Sequence, residues 1–70
     1  MVTKKKKQIG VIGAGAWGTA LSNIIAKKQN VLLWAKEQNV AENINKKHEN
    51  KKFLPHIKLS KKILCTTEIN

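Results

Sequence analysis

Ile9-Gly10-Val11-Ile12-Gly13-Ala14-Gly15-Ala16-Trp17-Gly18-Thr19-Ala20-Leu21 decides how this 70-residue chain is read. A short apolar run breaks into Gly13-x-Gly15-x-x-Gly18 and resumes with helical spacing, which is the sequence form of a strand feeding a dinucleotide-binding turn. Each glycine has its own task. Gly13 permits a tight turn out of the strand, Gly15 lets the backbone approach a pyrophosphate, and Gly18 lets the following helix pack closely on the strands. The pyrophosphate then sits at the helix N-terminus, where free N–H groups and the positive end of the helix dipole favour an anion. The other glycine-rich phosphate loop, Walker A, does not fit: Gly13 and Gly18 have its spacing, but Thr19 and Ala20 stand where Lys and Ser/Thr belong.

Working outward, Gln8 to Ile12 reads as a buried strand, since its Ile and Val are stiff at χ1 and form a nearly continuous apolar run. Past the glycines, Trp17, Ala20, Leu21, Ile24 and Ile25 fall on one helical face, expected to point inward, with Thr19, Ser22, Asn23, Lys27 and Lys28 mostly on the other. Lys27 and Lys28 are expected in the last turn, before Gln29-Asn30 closes the helix. Val31 to Ala35 reads as a second strand. Asn39 is the expected N-cap of a second helix that turns Val40, Ala41 and Ile44 inward and runs to about Lys47. The lysine-rich stretch from His48 to Lys62 reads as a loop anchored by Phe53, Leu54 and Ile57, and Pro55 keeps any helix from crossing it. Ile63 to Thr66 makes a short third strand. The expected fold is α/β, a partial Rossmann βαβαβ unit with a parallel sheet spanning residues 8–70, preceded by a solvated basic lead-in at 1–7 that contains Lys4-Lys5-Lys6-Lys7.

Composition narrows the function. The formal net charge of +10 comes from fourteen lysines against Glu37, Glu42, Glu49 and Glu68, with no arginine and no tyrosine. Binding to nucleic acid is the alternative function. It is weakened by the lack of arginine for bidentate base contacts and by having only Phe53, Trp17 and Trp34 for stacking, so no specific nucleic acid is expected. Cys65 has no disulfide partner, which suits a reducing, cytoplasmic setting, and it is expected to be a small buried hydrophobe. His48 and His56 form no metal-ligand cluster, so no metal is expected. No stretch approaches the ~20 apolar residues of a membrane span. Trp34 is expected to be mainly core.

Cofactor choice should be set at Lys36 and Glu37, about twenty residues beyond the glycines. A carboxylate there accepts hydrogen bonds from the ribose of NAD, and a cation pairs with the 2′-phosphate of NADP. The chain has one of each, so the sequence leaves NAD or NADP open.

Three blocks carry a family resemblance: Gly13-Ala14-Gly15-Ala16-Trp17-Gly18-Thr19-Ala20-Leu21, then Leu33-Trp34-Ala35, then Asn45-Lys46-Lys47-His48-Glu49-Asn50-Lys51-Lys52-Phe53-Leu54-Pro55. In this order and separation they resemble the start of bacterial NAD(P)-dependent glycerol-3-phosphate dehydrogenase. The resemblance implies a cytoplasmic oxidoreductase that interconverts dihydroxyacetone phosphate and sn-glycerol 3-phosphate for glycerophospholipid metabolism. It implies cofactor contacts at Gly13, Gly15, Ala16, Trp17 and Gly18, with Lys36 beside the adenosine end. The chain departs from the family pattern in three places. Ala16 replaces a Ser or Asn, the link at Lys27-Lys28-Gln29-Asn30 is about one residue short and lacks a glycine, and Lys36 stands where Arg or His is common. The resemblance places the catalytic lysine, the substrate-phosphate ligands and a helical second domain downstream of the matched region, so no catalytic residue is expected here. The expectation is an amino-terminal fragment that binds the dinucleotide and depends for catalysis on the remainder of the enzyme, with a separately encoded remainder as its candidate partner.

Overall fold

The computed structural model describes residues 2–5 and 8–68. Three apolar runs lie side by side in it: β2 (Gln8–Ile12), β3 (Asn30–Trp34) and β4 (Ile63–Thr66), paired in parallel so that Ile9, Val31 and Ile63 align, followed two positions on by Val11, Leu33 and Cys65. Because successive side chains on a strand alternate between faces, this register gathers one apolar set on one face. There Val11, Val31, Leu33, Ile63 and Cys65 are buried together with Val40, Ala41 and Ile44 of α2 (Gln38–Lys47) and with Ala26, which caps α1 (Ala16–Ile25). Both helices therefore cover the same side of the sheet. Ile12 and Leu64, on the opposite face, are 43% and 56% exposed. Strands this continuously apolar are commonly covered on both faces; within the described residues one side carries no cover.

A fourth strand precedes the glycine motif. Residues Val2–Lys5 form β1, which pairs antiparallel with β2, Thr3 lying opposite Gly10. The sequence reads only as a solvated lead-in there. Four lysines in a row give no strand signal, and the pairing is supplied by the free backbone edge of β2. The sheet order is β1-β2-β3-β4. In doubly wound sheets of order 3-2-1-4-5-6, β4, β3 and β2 correspond to strands 3, 2 and 1, so β1 lies on the edge that strand 4 would take.

The first helix is turned the other way from the expectation. Its buried residues are Thr19 and Ser22, followed by Ala26 at its end, whereas Trp17 and Ile24 are 75% and 64% exposed. The cause is the close approach set by Gly18: a Cβ built there would lie 1.8 Å from the Gly13 carbonyl oxygen. A helix held that near the turn admits only small side chains between itself and the sheet over its first two turns. Trp17 and Ile24 are left outside, Leu21 is half-buried, and of the face expected inward Ile25 packs against the core. The helix also ends earlier than expected, at Ile25, so Lys27 and Lys28 lie in the turn beyond it.

In the second helix Val40, Ala41 and Ile44 are buried as expected, but the N-cap residue is Glu37, without a side-chain capping bond, in place of Asn39. Asn45 clamps this helix to the sheet, its Oδ1 accepting from the Cys65 amide and its Nδ2 donating to the Cys65 carbonyl, both at 2.7 Å. The chain leaves α2 through His48 in the left-handed conformation, φ 56°, with its amide donating to the Ile44 carbonyl at 3.0 Å. In the loop that follows, Phe53 and Ile57 are exposed and Leu54 is half-buried; the buried anchors are Leu59 and Asn50. The Ser60 amide is held by Asn23 Oδ1 at 2.8 Å, tying the loop's end to α1.

Candidate functional site

The glycine turn lies at the C-terminal ends of β2 and β3, the crevice where open α/β sheets bind ligands. Gly13 adopts φ +106°, a conformation that side-chain-bearing residues rarely take, and its amide donates to the Trp34 carbonyl at 3.0 Å. That bond extends the parallel pairing one residue past β2 and fixes where the chain turns away. Gly15 is the N-cap of α1 in an extended conformation, with no side chain to satisfy the helix's first amides and no acidic residue in the first turn. The first intrahelical bond runs from the Thr19 amide to the Gly15 carbonyl at 3.0 Å. The amides of Ala16, Trp17 and Gly18 therefore have no carbonyl partner within the helix. A Cβ built on Gly15 meets nothing within 4 Å. The approach to those amides is thus open, and any larger residue at position 15 would narrow it.

Beside the turn is a cleft of about 220 Å³, whose lining includes Gly13, Gly15, Trp34, Lys36, Glu37 and Phe53. That is smaller than the roughly 300–1,000 Å³ of pockets that enclose a small molecule, so the cleft holds part of an extended ligand and leaves the rest outside. Lys36 is exposed at its mouth. Glu37 is engaged: Lys52 Nζ lies 2.5 Å from its Oε1 and also 5.3 Å from the centre of the Phe53 ring. The lining thus offers backbone donors, one cation in Lys36 and aromatic faces, which is chemistry for holding a polyanion with an attached ring system.

Of the residues singled out in the sequence, the structure brings Gly13, Gly15 and Lys36 to this cleft. Gly18 packs beneath it against Gly13, and Ala16 is exposed in the first turn of α1. The Trp17 side chain lies elsewhere, in a shallow apolar hollow with Ala20, Leu21 and Ile24 on the outer face of the helix. Trp34, expected in the core, is half-buried, lines the cleft and donates from Nε1 to the Thr67 carbonyl at 3.0 Å. Phe53, Lys52 and Asn50 were not assigned to the site from the sequence. The loop that carries them starts about thirty residues after the turn, and only tertiary folding brings the two together. Cys65 is buried on the covered face of the sheet, and loss of solvation pushes its thiol up to about 11 despite a hydrogen bond from the Thr66 backbone. Among the described residues, no helix is long and apolar enough to cross a membrane.

Comparison with known proteins agrees with this geometry. Residues 8–70 match the family described as NAD-dependent glycerol-3-phosphate dehydrogenase N-terminus. The glycerol-3-phosphate dehydrogenase [NAD(P)+] of Maricaulis maris is 54% identical over 65 residues, covering 91% of this chain and 20% of the relative. That of Carboxydothermus hydrogenoformans is 44% identical over 63 residues, covering 89% and 19%. Among solved structures, glycerol-3-phosphate dehydrogenase from Saccharomyces cerevisiae superimposes with a TM-score of 0.77 at 30% identity, over 89% of this chain and 21% of that one. The enzyme of Plasmodium falciparum gives 0.78 at 26% identity, over 86% and 20%. The chain thus spans about one fifth of the length of these relatives. The nucleic-acid alternative draws no support from these matches. With its glycine turn, parallel β2-β3-β4 sheet and match over residues 8–70, the chain belongs to the N-terminal family of NAD-dependent glycerol-3-phosphate dehydrogenases.

Proposed function

We infer that the chain binds NAD or NADP and forms the first part of the cofactor domain of an enzyme that interconverts dihydroxyacetone phosphate and sn-glycerol 3-phosphate. The observation that carries this reading is the uncapped start of α1, facing open space above Gly15. There the amides of Ala16, Trp17 and Gly18, together with the helix dipole, hold the pyrophosphate without any charged side chain. Lys36 lies at the adenosine end, where its ammonium pairs with a 2′-phosphate or simply attracts the dinucleotide. Lys52, by pairing with Glu37, competes with ribose hydroxyls for that carboxylate.

The nicotinamide cofactor, when bound, supplies or accepts a hydride. This chain's own contribution is to bind and orient it. Turnover also requires a substrate carbonyl held in register with a proton donor, and we assign those groups to the four-fifths of the relatives' length that this chain does not match, whether continuous with it or separately encoded. A cytoplasmic setting suits the single buried thiol.

A titration with NADH and NADPH, followed by tryptophan emission, tests the binding. Trp34 lines the cleft, so a saturable change at or below millimolar cofactor is expected. A flat titration in a sample with native far-ultraviolet circular dichroism would overturn the assignment.

A further inference from the structure

Asn50 is fully buried, yet it lies in the loop between α2 and β4, outside the glycine motif. Its Nδ2 donates to the Ala14 carbonyl at 2.9 Å and to Thr19 Oγ1 at 2.7 Å, and its Oδ1 accepts from the Phe53 amide at 3.2 Å. The orientation of the side-chain amide is fixed by its neighbours, because the Ala14 carbonyl demands a donor and the Phe53 amide demands an acceptor. One side chain thus holds the turn before Gly15, the helix after it and the outer wall of the cleft.

An apolar residue of similar size would fill the same volume with less desolvation cost, but it would leave the Ala14 carbonyl buried and unpaired. What Asn50 adds is direction. Peptide units are planar, and no cis peptide is present among the described residues, so the carbonyl of Ala14 and the N–H of Gly15 point opposite ways across one plane. Drawing the carbonyl to Asn50 turns the Gly15 N–H away from Asn50, and Gly15 itself lines the cleft.

We propose that Asn50 is a positioning residue of the dinucleotide site: by holding the Ala14 carbonyl it presents the Gly15 N–H to the pyrophosphate, and by holding the Phe53 amide it sets the wall beside it. This rests on the dinucleotide-binding reading above. Asn50→Asp keeps the size but replaces the donor with an acceptor facing the Ala14 carbonyl. We expect NADH affinity to fall by about tenfold or more, the scale of one hydrogen bond to a charged group. Asn45→Ala, which breaks a clamp remote from the cleft, should lower the melting temperature and change the affinity of the folded protein less than twofold. A purely structural role for Asn50 predicts the Asn45→Ala pattern for both variants, and that result overturns the proposal.

Amide resonances of the unaltered chain give a readout independent of any variant. On saturation with NADH the Gly15 N–H signal should move strongly; if neighbouring amides respond and Gly15 does not, the proposal fails even should Asn50→Asp not fold. Absence of NADH binding to the unaltered chain would overturn the dinucleotide reading itself, an outcome distinct from binding that is indifferent to Asn50.

Discussion

Gly15 and Gly18 stand three residues apart in one motif, yet substitution should separate them completely. Gly15 has φ −75° and open space around its Cβ direction, so Gly15→Ala costs no backbone strain; the gain from restricting the unfolded chain is offset by alanine's poorer N-cap, and stability should change by less than about 1 kcal/mol. The methyl group then projects toward the pyrophosphate path, and NADH affinity should drop about tenfold or more, the scale of a lost hydrogen bond to a charged group. Gly18→Ala does the reverse: its Cβ would meet the Gly13 oxygen at 1.8 Å, so the helix must shift. A loss of roughly 2 kcal/mol or more, measured by urea unfolding, is expected from such overpacking. Equal stability losses for the two variants would refute this division of labour. Cys65 offers a second measurement at this scale. With its thiol raised to about 11, alkylation at pH 8 should be much slower in the native chain than in urea. A thiol raised in the folded state binds its proton longer than in the unfolded one. Its contribution to stability is therefore complete below the unfolded value of 9.0 and lost as pH climbs toward 11.

The three parallel strands were legible because their apolar runs are continuous and bounded by polar residues: β2 and β4 match the expected bounds, and β3 is shifted by one residue, whereas β1 carries no such run. Helix α1 was legible as a helix and not as an orientation. Amphipathic spacing shows that a helix has an apolar face; what that face meets depends on how close the helix lies to the sheet, and Gly18 sets that distance. The loop was the least legible element, since its supports are side-chain amides reaching backbone groups: Asn23 to Ser60, Asn43 to Lys51, Asn50 to Ala14. Nothing in the spacing of asparagines reveals such partners. The inverted helix makes a testable pair. Ser22 Oγ is buried with no hydrogen-bond partner among the described residues, so Ser22→Ala should be neutral or stabilising by about 1 kcal/mol. Ile24→Lys, on the exposed stripe, should leave the melting temperature nearly unchanged; had the stripe faced the core, the same change would unfold the chain.

At the scale of the whole molecule, the sheet and its helices leave two apolar surfaces open, the face bearing Ile12 and Leu64 and the outer stripe of α1 with Trp17 and Ile24. Doubly wound sheets cover both faces with helices, so such surfaces favour association with further chain or with another copy. The edge of β2 is in a different condition, because β1 occupies it. An antiparallel strand of sequence Val-Thr-Lys-Lys lies where strand order 3-2-1-4 would bring a parallel one, and its backbone pairing covers the edge of β2. Thr3→Pro removes an amide from the middle of β1 and should release it from Gly10. The β2 amides that face β1 should then exchange with deuterium faster, while the β3 and β4 amides keep their protection. Sedimentation should show self-association beginning at a lower concentration than for the unaltered chain. Unchanged exchange along β2 would mean that β1 does not protect that edge, and its free backbone groups would then be open to pairing with any strand that approaches.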